Sequence, residues 1–201
     1  KIVNFINGTQ TILSHFGSEL ILTAAPETLY VQGGLNNYGG GAGAYLPVIY
    51  AFKDRLNYIH VQHYNTGCML GLGQNSPCYQ QGTADFQVAM AEMLLQGFPV
   101  PGHATDFPAL RQDQVAIGLP ASTQAAGGGY TTPATVHQAL DYLVKGISYG
   151  GNYTMVNPDG YPNFRGLMTW SINWDEYNNF EFSNNHRPYL DALGATSARS
   201  S

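Results

Sequence analysis

The sequence predicts an α/β fold, a parallel sheet with helices packed on it, and three observations carry that prediction. Four short apolar runs, Leu20–Ala25, Tyr58–Tyr64, Val115–Leu119 and Gly166–Ile172, read as buried strands. Segments with apolar residues at helical spacing lie between them. Two of those segments carry helix start and stop signals at their ends. Parallel strands need a crossover connection, and an amphipathic helix between apolar runs supplies one.

The elements follow in order. Ile2, Phe5, Ile6, Ile12, Leu13 and Phe16 recur at helical spacing, so a helix over residues 2–16 precedes the first strand. That strand, Leu20–Ala25, ends at Pro26, which has no N–H to give a ladder. Glycines at 33–34 and 39–41 mark a loop, and an apolar helical stretch follows over residues 44–55. After the second strand comes a turn-rich loop bearing Cys68 and Cys78. Thr83 then caps a helix whose stripe is Phe86, Met90, Met93 and Leu94, stopped by Gly97. The third strand ends at Pro120. Thr132-Pro133 gives a cap and a first-turn proline to a helix with Val136, Leu140, Leu143 and Val144 on one side, closed by Gly146. Beyond the fourth strand, a polar loop leads to a short helix near residues 188–193. The small, polar stretch Gly194–Ser201 reads as a frayed end or linker.

Composition narrows the function. A chain of 201 residues, 44 % hydrophobic, can bury a sizeable core. Only 10 % of residues are Asp, Glu, Lys or Arg, well below the usual quarter or so. Low charge with that apolar content excludes the common kind of disordered chain. A net charge of −5, from 8 basic and 13 acidic side chains, argues against nucleic acid or an anionic membrane as partner. No apolar run approaches the length of a membrane span. The 14 Tyr, 9 Phe and 2 Trp suit an uncharged polar ligand, of which carbohydrate is one.

The second strand is the most informative. Alternation puts Tyr58, His60, Gln62 and Tyr64 on one face, and Ile59, Val61 and His63 on the other. Such a polar row must be satisfied if buried. His60, the deepest, reads as part of a polar core network; Gln62, Tyr64 and Asn65, at the C-terminal end, read as ligand-binding. On the fourth strand, Met168 and Trp170 share a face, and Asn173, Trp174 and Asp175 lie just beyond it. Trp170 is either a core plug or an apolar floor for a sugar ring.

Cys68 and Cys78 are either a disulfide closing a short loop, which fits a secreted protein, or two free thiols. Two Cys without His at finger spacing, and six His without H-E-x-x-H, give no metal site. Asn7-Gly-Thr9 and Asn152-Tyr-Thr154 match the glycosylation sequon. Gly146-Ile-Ser148-Tyr-Gly150 matches G-x-S-x-G, and Asp159 or Asp175 followed by His186 gives the order of a serine esterase. That elbow needs a strand before the serine and a helix after it, and here the context is reversed. The glycine clusters at 33–43 and 127–129 lack G-K-[ST], so they read as mobile or close-approach loops at a cleft rim, and no cofactor is implied.

Four ordered motifs carry a family resemblance. Leu22-Thr-Ala-Ala-Pro-Glu27, Val61-Gln-His-Tyr-Asn65, Ile117-Gly-Leu-Pro-Ala121 with Ala125-Ala-Gly-Gly-Gly-Tyr130, and Gly166-Leu-Met-Thr-Trp-Ser171 resemble strands five to eight of glycoside hydrolase family 18 chitinases. The hevamine-type and bacterial Q-x-Y-N enzymes are the most similar. The resemblance implies a (β/α)8 TIM-barrel fold, residues 1–193 being its C-terminal half and 194–201 a flexible tail or linker. It also implies retaining, substrate-assisted hydrolysis of β-1,4-linked N-acetylglucosamine polymers by a secreted enzyme. Tyr64 would hold the acetamido carbonyl. Gln62 and Asn65 would line that subsite, Trp170 would be its floor beside Met168, and Glu27 would meet sugar hydroxyls.

The chain departs from the family in one respect. The family's general acid ends a D-x-x-D-x-D-x-E run on strand four, and no such run occurs here. The acid is therefore expected upstream. The chain is expected to be part of a longer enzyme, a proteolytic fragment, or a half-barrel paired with another chain that supplies the N-terminal half. A non-cleaving chitinase-like sugar-binding protein is the alternative, with a serine esterase more remote.

Overall fold

The structure, a computed structural model, describes residues 1–36, 38–73 and 76–197. Four parallel strands form one sheet in the order β1 (Thr23–Ala24), β2 (Tyr58–Gln62), β5 (Val115–Pro120) and β6 (Gly166–Trp170). Sequence order equals spatial order, and each crossover passes through helix: α2 (Leu46–Phe52), α3 (Ala84–Gln96) and α4 (Pro133–Lys145). This is the winding of a (β/α)8 barrel carried through four of its strands. α1 (Ile2–Phe16) precedes β1, while α5 (Ile172–Tyr177) and α6 (Glu181–Ser197) follow β6.

The capping signals act as the sequence predicts. Thr83 Oγ1 accepts the Phe86 N–H at 3.2 Å, and Thr132 Oγ1 accepts that of Thr135 at 3.3 Å. Gly146 closes α4 in the left-handed conformation with φ 71°. The core lies between the sheet and α3 and α4, where Ile59, Val61, Ile117 and Leu119 meet Phe86, Met90, Met93, Leu140 and Leu143.

α3 differs from the expected stripe: nearly every position from Ala84 to Leu95 is buried. A segment after α4, residues 149–161, covers its outer side. Asp85 accepts the Tyr149 hydroxyl at 2.6 Å and the backbone N–H groups of Asn152 and Tyr153. Burial works against the Asp85 charge, but these hydrogen bonds outweigh it and hold the carboxyl below the usual carboxylate range. About two turns further along, Glu92 accepts the Tyr153 and Tyr161 hydroxyls at 2.7 and 2.6 Å.

Other boundaries also shift. β1 shrinks to two residues because pairing to β2 is interrupted at Pro26 and resumes only at a Glu27–Gln62 bridge. Leu22 is tied instead to Asn57, whose Oδ1 accepts its N–H at 2.7 Å. The 44–55 helix contracts to Leu46–Phe52 behind the glycine turns. The cysteine loop is a hairpin, β3 (Cys68–Leu70) paired with β4 (Cys78–Gln80), closed by the Cys68–Cys78 disulfide. The expected polar loop after β6 is α5. The last helix begins at Glu181 rather than near Pro188, because Asp175 accepts the N–H groups of Phe182 and Ser183 and caps it there. It runs through Ser197, so residues 194–197 of the expected tail are helical, while residues 198–201 lie outside the described residues. No helix among the described residues is long and apolar enough to cross a membrane.

Candidate active site

The expected sugar-binding residues converge at the C-terminal ends of the strands. Gln62, Gly118 and Met168 occupy one register row across β2, β5 and β6, and Pro120 pairs with Trp170 two rows further on. Gly118 is what lets the row close up. A Cβ there would stand 2.8 Å from Met168 Cε, so the methionine lies directly over the glycine. Trp170 follows with its indole 53 % exposed, and the Trp170–Ser171 peptide is cis.

Glu27 reaches the same place from β1 through its bridge to Gln62. The Gln62 backbone accepts the Thr28 hydroxyl at 2.6 Å, and its side-chain Nε2 donates to the Ala25 carbonyl at 2.7 Å. The amide is thereby oriented, leaving Oε1 as its acceptor end. Tyr64 is buried, and burial together with the nearby Glu27 charge pushes its phenol up to about 12. The hydroxyl therefore stays protonated and able to donate throughout the working range. Asn65 is exposed in the left-handed region with φ 54°, its N–H donating to the Gly128 carbonyl at 3.1 Å.

The triglycine 127–129 is a close-approach loop. Cβ atoms at Gly127 and Gly129 would stand 3.2 Å from Asn65 Oδ1 and 2.6 Å from Tyr64 Cα. Only bare backbone fits so near the Tyr64–Asn65 turn.

His60 departs from expectation. Its register row is Ala116 and Gly166, neither of which offers a side-chain partner, and its Nδ1 is buried without a hydrogen bond among the described residues. Burial lowers its pKa. The polar network lies on the opposite face. His63 Nδ1 meets Gln87 Oε1 at 2.6 Å, and Gln87 Nε2 donates to Thr131 Oγ1 at 3.1 Å.

The esterase arrangement is not assembled. Ser148 lies in the loop after α4, and its Oγ accepts the Gly150 N–H. His186 pairs with His137 at 3.1 Å, Asp175 caps α6, and Asp159 is an exposed turn residue. The Gly146 of that motif serves close packing, since its Cβ would collide with the Pro158 carbonyl. Among the described residues no three His, Cys, Asp or Glu side chains gather as a metal site requires. Sequence reading missed Glu92, Asp85 and Gln81. Of these only Asp85, in a first helical turn, carries a local signal.

No family profile matches the chain. It is 63 % identical over 194 residues to "Chitinase D" of Niallia circulans, covering 96 % of this chain and 37 % of that protein. It is 60 % identical over 200 residues to "Chitinase Chi52" of Paenibacillus xylanexedens, covering 99 % of this chain and 38 % of that protein. The crystal structure of a family GH18 chitinase from Chromobacterium violaceum superposes with a TM-score of 0.86 at 39 % identity, over 94 % of this chain and 50 % of that one. The chain thus spans between about a third and a half of the length of these proteins. Register, motif order and likeness agree: this chain belongs to the glycoside hydrolase family 18 chitinases and forms a C-terminal portion of their barrel.

Proposed function

We propose that the protein to which this chain belongs is a secreted chitinase that cleaves β-1,4-linked N-acetylglucosamine polymers with retention, by substrate assistance. A glutamic acid from the other half of the barrel protonates the glycosidic oxygen. The acetamido oxygen of the sugar attacks C1 as that bond breaks, giving an oxazolinium ion, and water opens it. This chain supplies the positioning of the internal nucleophile. Tyr64 Oη donates to the acetamido carbonyl, Gln62 Oε1 and Asn65 line the group, Trp170 and Met168 form the apolar floor, and Glu27 accepts from sugar hydroxyls.

The observation that carries the reading is Tyr64, a buried phenol held protonated beside Glu27. A substrate-assisted reaction needs such a donor, because attack succeeds only if the acetamido oxygen is aimed at C1. Its neighbours on the strand ends supply an aromatic surface and amide groups but no general acid, which suits binding and orientation. Secretion is supported by the Cys68–Cys78 bridge, which persists in an oxidising compartment.

The test is Tyr64→Phe in the complete enzyme. Losing one preorganised donor is expected to lower turnover of N-acetylglucosamine oligomers by about 10²-fold. Wild-type turnover in that variant would remove the substrate-assisted reading. Tight oligomer binding by the wild type with no product on long incubation would replace it with a sugar-binding protein.

A further inference from the structure

One side chain outside the sugar-binding set touches both loops that frame it. Gln81 follows β4 directly, at the base of the disulfide-closed hairpin. Its Oε1 accepts the Thr66 N–H at 3.1 Å. Its other end lies against the triglycine, where a Cβ on Gly128 would stand 2.8 Å from Nε2. One amide therefore spans the Tyr64–Asn65–Thr66 turn and the Gly127–Gly129 loop.

The turn needs an external hold. Asn65 sits at φ 54°, in the left-handed region that asparagine adopts more readily than other non-glycine residues but still less readily than the extended region. Two hydrogen bonds from its backbone N–H groups fix it from either side: Asn65 N–H to the Gly128 carbonyl and Thr66 N–H to the Gln81 side-chain Oε1. The first anchors the turn to the triglycine and the second to the hairpin. Removing the Gln81 amide takes away the second anchor and also opens space against Gly128. The turn that presents Tyr64 and Asn65 is then held on one side only.

We propose that Gln81 is a positioning residue for the acetamido subsite, clamping the Tyr64–Asn65–Thr66 turn against the Gly127–Gly129 loop. It touches no sugar and acts through Asn65 and Tyr64. The Cys68–Cys78 disulfide and the β3–β4 ladder fix the base from which Gln81 reaches. This inference rests on the sugar-site reading above and assigns that site a residue from outside the strand ends.

The experiment compares wild type, Gln81→Ala and Gln81→Glu in the complete enzyme, with an N-acetylglucosamine oligomer as substrate. Orientation of the internal nucleophile is felt in the transition state, while the Trp170 floor keeps its ground-state contacts. Gln81→Ala is therefore expected to lower kcat by about tenfold with KM within about twofold. Gln81→Glu keeps an oxygen for the Thr66 N–H and is expected to restore most of kcat. Wild-type kcat in Gln81→Ala overturns the inference and leaves the sugar site standing. A loss that Gln81→Glu does not rescue, accompanied by a matching fall in melting temperature, also overturns it. A wild type that neither binds nor cleaves the oligomer removes the sugar site and this inference together.

Discussion

Glu92 is fully buried and accepts four hydrogen bonds, from the Tyr153 and Tyr161 hydroxyls and from the Val156 and Asn157 N–H groups. Each donor left without an acceptor costs about 1–3 kcal/mol. Glu92→Ala is expected to lower the unfolding free energy by at least about 3 kcal/mol, read from a urea titration. A change under about 1 kcal/mol would mean that residues 149–161 do not depend on it. Nothing in the sequence signalled this role. Between Met90 and Met93, a glutamate reads as the solvated side of an amphipathic helix, and its partners lie more than sixty residues away. By contrast, the placement of Gln62, Tyr64 and Trp170 at the strand ends was legible, because strand alternation gives it before any tertiary contact is known. His63 shows the limit of that logic. Alternation gave its face correctly, but its partner Gln87 sits on another element.

Histidines also set how elements respond to acid. His186 on α6 meets His137 on α4 at 3.1 Å, with Phe182 against its ring at 4.4 Å. Tyr189 stacks on His137 at 3.8 Å and donates to Asp141, which also holds Lys145. Burial, with the His137 charge adding to it and Asp175 opposing, pulls His186 down to about 4. Burial likewise lowers His137 against the pull of Asp141. His63 is held at about 4 by burial, with Gln87 opposing. The unfolded chain binds these protons near pH 6.5 and the folded chain only at lower pH. The stability they contribute is therefore complete above about pH 6.5 and is lost as pH falls toward 4. For the fully buried His63 that amounts to about 3 kcal/mol. The melting temperature is expected to fall over that window, and less steeply in His186→Gln. Identical slopes would show that the α4–α6 contact does not titrate. The sequence places this helix only near residues 188–193, short of the full extent of α6. The true start is set by Asp175, which becomes a cap only once α5 has turned the chain.

At the scale of the whole molecule, the sheet is open at both ends. Among the described residues β1 and β6 each have one neighbour, so each presents an unpaired edge. α1 contributes no buried residue, and Ile2, Val3, Phe5, Ile12 and Phe16 are all exposed. Trp170, Ile172, Tyr177 and Phe180 add exposed apolar surface at the opposite edge. Exposed apolar groups at both ends and two free edges are what a closed barrel would cover with its remaining strands and helices. Barrel membership was legible from four ordered motifs, and the open edges from there being four strands where a closed barrel has eight; the chain covers 37 % of Chitinase D. Produced by itself, the 201-residue chain is expected to self-associate and to leave N-acetylglucosamine oligomers intact. Sedimentation velocity reads the first property and product analysis the second. Co-production with the N-terminal half of a family barrel is expected to give one stoichiometric complex with turnover, because the same surfaces that drive self-association are those the other half would bury. A monodisperse, active monomer of the isolated chain would show instead that its edges are self-sufficient and that an acid within it, such as Glu27 whose charge acts on Tyr64, serves the reaction.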